Sequence, residues 1–189
     1  MSTIIGIGTP RSGTRALATL LQNEGLDVTH ESSSSIGWNR EHRERRYGET
    51  KQHLRDRDGD VAYWLTQAAH DLLDEMPGAV VVALKRPETA SVYAMMENLS
   101  ADRLREARSL KGFAFPTFKQ RSLQEGWEKY WELYRERLGS LKGAYGDRVL
   151  EVQTTSLDEE ETREKACDFL NLQSAKKPKS PPDREVPQD

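Results

Sequence analysis

The sequence has a single cysteine, Cys167, so no internal disulfide can form. Its setting, Ala166-Cys167-Asp168-Phe169-Leu170, reads as a buried structural thiol rather than a nucleophile. No apolar run approaches the ~20 residues a membrane span requires. Met1-Ser2-Thr3 leads directly into an apolar segment, so no signal peptide is expected and the expected location is cytoplasmic. There is no strong excess of either charge sign. A net charge of -3 over 189 residues gives bulk electrostatics no hold on nucleic acid or anionic membrane. Hydrophobic residues are sparse at 35%, with a mean hydropathy of -0.81, which implies a lean core under a charged surface. Internal repeats are absent. This length and composition fit one α/β domain over residues 1–172, followed by a disordered tail over 173–189 that holds Lys176, Lys177, Lys179 and four prolines.

What is present is concentrated at the start. Ile4-Ile5-Gly6-Ile7-Gly8 reads as a buried strand, Thr9-Pro10-Arg11-Ser12-Gly13 as a tight loop, and Thr14-Arg15-Ala16-Leu17 as the opening of a helix. A strand that turns through glycine into a helix N-terminus makes a phosphate cradle. The first helical N–H groups have no intrahelical partner, and the helix dipole adds positive potential there. Gly13 permits close backbone approach, Thr14 adds a hydroxyl, and Arg11 supplies a charge that can grip a phosphate through two parallel donors.

The spacing Gly8, four residues, Gly13 imitates the G-x-x-x-x-G-K-[ST] loop of nucleotide triphosphatases. Thr14 stands where that loop has its lysine, however, and Arg15 where it has the Mg²⁺-ligating Ser/Thr. The basic residue lies inside the loop, at Arg11. In this respect Pro10-Arg11-Ser12-Gly13-Thr14 resembles the 5′-phosphosulfate loop of sulfotransferases that use 3′-phosphoadenosine 5′-phosphosulfate (PAPS). Gly13-Thr14-Arg15-Ala16-Leu17 is similar to the loop end of the heparan-sulfate and related carbohydrate sulfotransferases. The resemblance implies a three-layer fold around a central parallel sheet, of the P-loop NTPase-like kind. It implies PAPS as donor without a metal, and Pro10, Arg11, Ser12, Gly13, Thr14 and Arg15 around the 5′-phosphate. Arg11 would also meet the oxygen that bridges to the departing sulfuryl group.

Further along, Leu17, Leu20 and Leu21 mark one face of a first helix over Gly13–Glu24, with Gly25 as its left-handed cap. Leu26–Glu31 is expected as a second strand, in a βαβ arrangement that indicates a parallel sheet. Residues 39–60 carry seven basic and six acidic residues, with Tyr47 and Leu54 as the clear core candidates. They read as a solvated helix or lid. The alternative is that some of Arg40, Arg43, Arg45 and Arg46 face an anionic ligand. One helix is expected through Leu65, Ala68, Ala69, Leu72 and Leu73 to Glu75. A fully buried strand follows, Ala79-Val80-Val81-Val82-Ala83-Leu84, ending in Lys85-Arg86-Pro87. A Walker-B strand would end in an acid that holds Mg²⁺. A helix begins at Pro87, a polar helix spans Ser100–Leu110, and an aromatic irregular stretch covers Lys111–Phe118. Trp127, Tyr130, Trp131, Tyr134, Leu138 and Leu141 recur with the period of a long amphipathic helix. A last strand over Arg148–Val152 and a last helix over Asp158–Leu170 complete the alternation.

The Arg11–Thr14 loop, the pair His30-Glu31 and the pair Lys85-Arg86 all fall at carboxyl ends of strands, where open parallel sheets bind ligands. In the family, a strand ending in arginine and a later helical serine hold the 3′-phosphate, which maps that role to Lys85 or Arg86 and to Ser91. Sulfuryl transfer to an alcohol also needs a base for the hydroxyl proton. The carbohydrate branch uses a glutamate just after the second strand, which maps to Glu31, while the small-molecule branch uses a histidine. His30 is therefore the alternative, although strand alternation would turn it away from Glu31's face if the strand continued that far. The acceptor is a hydroxyl or amine compound, possible carbohydrates included, and Trp38, Trp64 and Phe113–Phe118 are candidate pocket walls. Two rival readings remain: a kinase using ATP and Mg²⁺, and a non-catalytic nucleotide-binding protein of the same fold.

Overall fold

A computed structural model of the chain describes residues 2–33, 40–98 and 123–171. The expected helix at Ser100–Leu110, the stretch 111–118, the tail over 173–189, and Trp38 lie outside the described residues, as do the side chains of Arg40, Arg43 and Arg45. Five parallel strands form one sheet: β1 (Ile4–Ile7), β2 (Val28–His30), β3 (Gly59–Val61), β4 (Val80–Lys85) and β5 (Val149–Gln153), in the order β2-β3-β1-β4-β5. Residues of β1 alternate between two apolar clusters. Ile4 joins Leu17, Ala18 and Leu21 of helix α1 (Thr14–Asn23), and Leu150, Ala166 and Leu170 of strand β5 and the last helix. Ile5 and Ile7 join the opposite cluster, with Leu54, Leu65, Leu72, Tyr134, Leu138 and Leu141.

Helices therefore cover both faces, which gives three layers. On one side lie α1 and α6 (Glu160–Phe169). On the other lie α2 (Arg40–Arg55), α3 (Ala69–Glu75) and the long α5 (Leu123–Tyr145), whose stripe of Trp127, Tyr130, Tyr134, Leu138 and Leu141 is buried. Helix α4 (Glu88–Asn98) packs against α5. Gly25 caps α1 at φ 85°, as its position suggests, and Cys167 is buried. Among the described residues no helix is long and apolar enough to cross a membrane.

Three expectations need correction. The charged segment holds α2, but its end is a strand: Gly59-Asp60-Val61 inserts between β2 and β1. Three residues at the end of a charged run show no periodicity to read. The helix expected through Leu65 to Glu75 is broken, with a 3-10 helix at Tyr63–Gln67 and α3 starting at Ala69. The break falls at Ala68 (φ -108°, ψ 0°), after the weak helix formers Tyr63, Trp64 and Thr66. Strand β2 is shorter than expected and stops at His30, because Glu31 takes a left-handed backbone conformation with φ 53°.

Candidate functional site

The loop after β1 is wound tightly. The Ser12 N–H donates to the Thr9 carbonyl at 3.0 Å, and a Cβ on Gly8 would lie 2.3 Å from Ser12 Oγ, so a larger residue would displace that buried hydroxyl. Two departures from ordinary backbone flank Ser12, Arg11 at φ 64° and Gly13 at φ 92°. Glycine adopts this region freely, whereas a left-handed arginine costs on the order of 1 kcal/mol or more. Two distant side chains hold that conformation. Arg86 donates to the Arg11 carbonyl at 2.6 Å, and the Thr154 hydroxyl donates to the Ser12 carbonyl at 2.8 Å. The first intrahelical bond is Leu17 N–H to Gly13 carbonyl, at 3.0 Å, so the amides of Thr14, Arg15 and Ala16 precede it at the positive end of α1. No acidic residue stands in that first turn to neutralise it. Ser12 is fully buried and its hydroxyl has no hydrogen-bond partner. Such a collection of amides, an arginine and a hydroxyl can hold a phosphate-like anion.

The end of β2 meets this loop. His30 Nε2 lies 3.0 Å from Thr14 Oγ1, and 3.7 Å from Glu31 Oε1. Because the strand ends at His30, alternation does not separate the two side chains, and both stand beside the start of α1. Burial pushes the Glu31 carboxyl above the ordinary glutamate value. His30 opposes that shift, Asp60 adds to it, and Arg15 opposes it again. Glu31 is thus a carboxylate of raised basicity next to the anion cradle, the property a general base uses.

Asp60, on the unforeseen strand, has a different setting. It is fully buried, and its register partner Ile5 belongs to the cluster on the face away from α1. Its carboxylate accepts from Thr29 Oγ1 at 2.7 Å, from the Ser32 N–H at 3.4 Å and from the Ser33 N–H at 3.0 Å. The Thr29 hydroxyl, its one proton given to Asp60, accepts from His53 Nε2 of α2 at 2.9 Å. Asp60 therefore pins the turn that carries Glu31. An acid for Mg²⁺ is absent from the end of β4, and the acid on β1's other neighbour, β3, is engaged in this turn.

The two cations at the end of β4 diverge. Lys85 pairs with Glu151 of β5 at 2.9 Å, and Lys142 reaches the same carboxylate at 3.2 Å. Burial works to raise the Glu151 pKa, but the hydrogen bonds from Lys85 and Lys142 outweigh it and hold the group below the usual glutamate value. Arg86 instead turns back to the Arg11 carbonyl. Ser91 is buried at 1% exposure with Oγ 3.5 Å from the Arg86 carbonyl, which also accepts from Trp131 Nε1 at 3.4 Å. Pro10 is half-buried, while Arg11 and Arg15 are exposed and open to a ligand.

Sequence reasoning missed Thr154, Asp60 and Tyr63. Thr154 follows the last strand at its carboxyl end, the same positional signal that singled out Lys85 and Arg86. Asp60 carries no such mark, since its strand is too short to recognise. Tyr63 is found only through space: burial raises its hydroxyl pKa, with Glu31 as the neighbouring charge.

No protein-family model matches the sequence, and no curated protein matches it. Solved structures do share the fold. A sulfotransferase from Alicyclobacillus acidocaldarius superposes with a TM-score of 0.61 at 13% identity, over 100% of this chain and 87% of the other. Mouse sulfotransferase SULT7A1 complexed with PAP gives a TM-score of 0.54 at 12% identity, over 92% of this chain and 60% of the other. A gluconokinase from Sinorhizobium meliloti 1021 gives 0.53 at 16% identity, over 92% and 98%. At these identities the likeness is one of fold, an α/β architecture with a central parallel sheet that sulfotransferases and a kinase have in common.

Proposed function

We propose that the chain is a sulfotransferase that moves a sulfuryl group from PAPS to a hydroxyl or amine acceptor. The observation that carries this reading is the pairing of an anion loop whose cation is Arg11, with no lysine at Thr14, and a His30-Glu31 pair seated on that loop's Thr14. In the proposed reaction the amides of Thr14, Arg15 and Ala16 and the Arg11 guanidinium hold the donor's 5′-phosphate. Arg11 stabilises charge that grows on the bridging oxygen as the S–O bond to the donor breaks. Glu31 takes the acceptor proton as the new S–O or S–N bond forms, and the 3′,5′-bisphosphate leaves. Arg86 orders the loop through the Arg11 carbonyl, and in this reading the basic end of β4 with Ser91 takes the 3′-phosphate. His30, hydrogen-bonded to Thr14 and beside Glu31, positions the base or substitutes for it. An α/β fold shared with a gluconokinase keeps a kinase as the second reading, but Asp60, the acid on β1's neighbour, is already engaged by Thr29 and the turn amides.

The deciding measurement is thermal stability with nucleotide. Adenosine 3′,5′-bisphosphate should stabilise the protein by about 2–3 kcal/mol at a hundredfold excess over its dissociation constant, with chelator present. Stabilisation by ATP that requires Mg²⁺, with no response to the bisphosphate, would instead establish the kinase reading.

A further inference from the structure

Three successive amides of the turn that carries Glu31 are held from strand β3. The Glu31 N–H donates to the Val61 carbonyl at 3.1 Å, and the Ser32 and Ser33 N–H groups donate to the two oxygens of the Asp60 carboxylate. Asp60 is itself reached from α2. Its register partner on β2 is Thr29, whose one hydroxyl proton goes to Asp60 Oδ1 at 2.7 Å in preference to the Gly59 carbonyl at 3.4 Å. Thr29 Oγ1 therefore accepts from His53 Nε2 at 2.9 Å, and the imidazole carries a proton on that nitrogen. A continuous path of hydrogen bonds runs from α2 through two strands to the backbone that follows Glu31.

The fold alone does not call for this path. Asp60 stands in register with Ile5, on the face where Ile5, Ile7, Leu54 and Ala83 form an apolar cluster, and valine at position 29 or 60 would suit a strand there. Burying a carboxylate in such a layer is costly unless donors engage it, whereas a satisfied polar network specifies one arrangement. The arrangement specified here is that of Glu31, a non-glycine residue at φ 53° that its surroundings must enforce. Leu54, next to His53, is fully buried in the same cluster, so α2 is anchored at the point where His53 meets Thr29. The Trp64 indole N–H adds a second hold on the turn, donating to Ser33 Oγ at 3.3 Å.

We infer that His53 is a positioning residue for Glu31, acting through Thr29 and Asp60, so that α2 sets the geometry of the candidate base. The bearing of this link on catalysis rests on the transferase reading, but the link itself is measured in the ligand-free protein. The test uses the full chain with His53→Leu, His53→Gln, Thr29→Val and the double variant of His53→Leu with Thr29→Val. Gln52→Ala is the control, since the exposed Gln52 bonds to Asp56 at 2.7 Å, away from the path. Two NMR readouts are followed: amide hydrogen exchange at Ser32 and Ser33, and the carbon-13 titration of the Glu31 carboxyl. His53→Leu should speed exchange at both serines by about tenfold or more relative to the buried Val82 amide, because the turn opens locally. The Glu31 carboxyl, which burial raises above the ordinary glutamate value, should move back toward that value as the loosened turn lets water in. Glutamine can donate from its own Nε2 in place of the imidazole, so His53→Gln should restore most of both. Thr29→Val should match or exceed His53→Leu, and the double variant should add nothing to it, because both act on one path. Gln52→Ala should move neither readout. A histidine that merely stabilises the fold would speed Val82 as much as the serines and leave the Glu31 titration where it was, which would overturn the inference. So would a His53→Gln variant no better than His53→Leu, additive effects in the double variant, or an equal response to Gln52→Ala. Adenosine 3′,5′-bisphosphate is titrated into the same samples and should bind every variant within about twofold of wild type, since the anion loop is untouched. If it binds none of them while the exchange and titration results hold, the sulfotransferase reading falls and the link stands. If it binds and those results fail, the link alone falls.

Discussion

Glu31 and Asp60 are carboxylates close enough to influence each other, yet the fold treats them in opposite ways. Asp60 is fully buried and accepts from three donors, Thr29, Ser32 and Ser33. Glu31 stands at the end of β2 on a left-handed backbone, its side chain 34% exposed, with His30 at 3.7 Å. One holds the turn and the other is held out by it. A buried carboxylate engaged by three donors of its own turn is a structural part, whereas a partly exposed one with a raised pKa is available for proton transfer. The strain at Glu31 points the same way, since a non-glycine residue in this region persists only where its surroundings enforce it.

Substitutions at the two positions should therefore separate along different axes. Glu31→Gln preserves shape but cannot accept a proton. Sulfuryl transfer should fall by roughly 10²–10⁴-fold, while bisphosphate affinity stays near wild type. If activity per folded molecule is unchanged, the two carboxylates do not differ as described; if His30→Ala alone abolishes transfer, the base is His30. Asp60→Ala leaves the Thr29 hydroxyl and the two turn amides without their acceptor. Denaturant unfolding should show a loss of about 2–3 kcal/mol, and activity should fall only as the turn loosens. The smallest effect is on pH dependence. A glutamate whose native pKa is raised binds its proton more tightly folded than unfolded, so its contribution to stability declines as pH rises from the ordinary glutamate value through the raised one. Glu31→Gln should remove that decline, by a small margin because the exposed side chain is screened by solvent. A variant with an unchanged pH–stability profile would show that burial leaves Glu31 unperturbed.

The same contrast explains what the sequence could reveal. The β1 loop, α1 with its Gly25 cap, the buried β4 and the aromatic stripe of α5 all announce themselves through local pattern: apolar runs, glycine placement and helical period. Arg11 and Thr14 were legible for that reason. Asp60 was not, because a three-residue strand at the end of a charged run is fixed by its pairing with Ile4–Gly6 and Val28–His30, which is tertiary information. The mutual position of His30 and Glu31 was hidden too, since it depends on where β2 stops. Lys85 and Arg86 were legible as cations at a strand end, but their division between Glu151 and the Arg11 carbonyl follows from the neighbours on each face.

The claim on which all of this depends is that the loop after β1 is the phosphate site. A crystal structure with adenosine 3′,5′-bisphosphate, grown in the presence of chelator, tests it most directly. The account predicts the 5′-phosphate within hydrogen-bond distance of the Thr14 and Arg15 amides and the Arg11 guanidinium, with the Glu31 carboxylate on the open side toward the acceptor. A bisphosphate bound elsewhere, or a loop empty at saturating ligand, would contradict it.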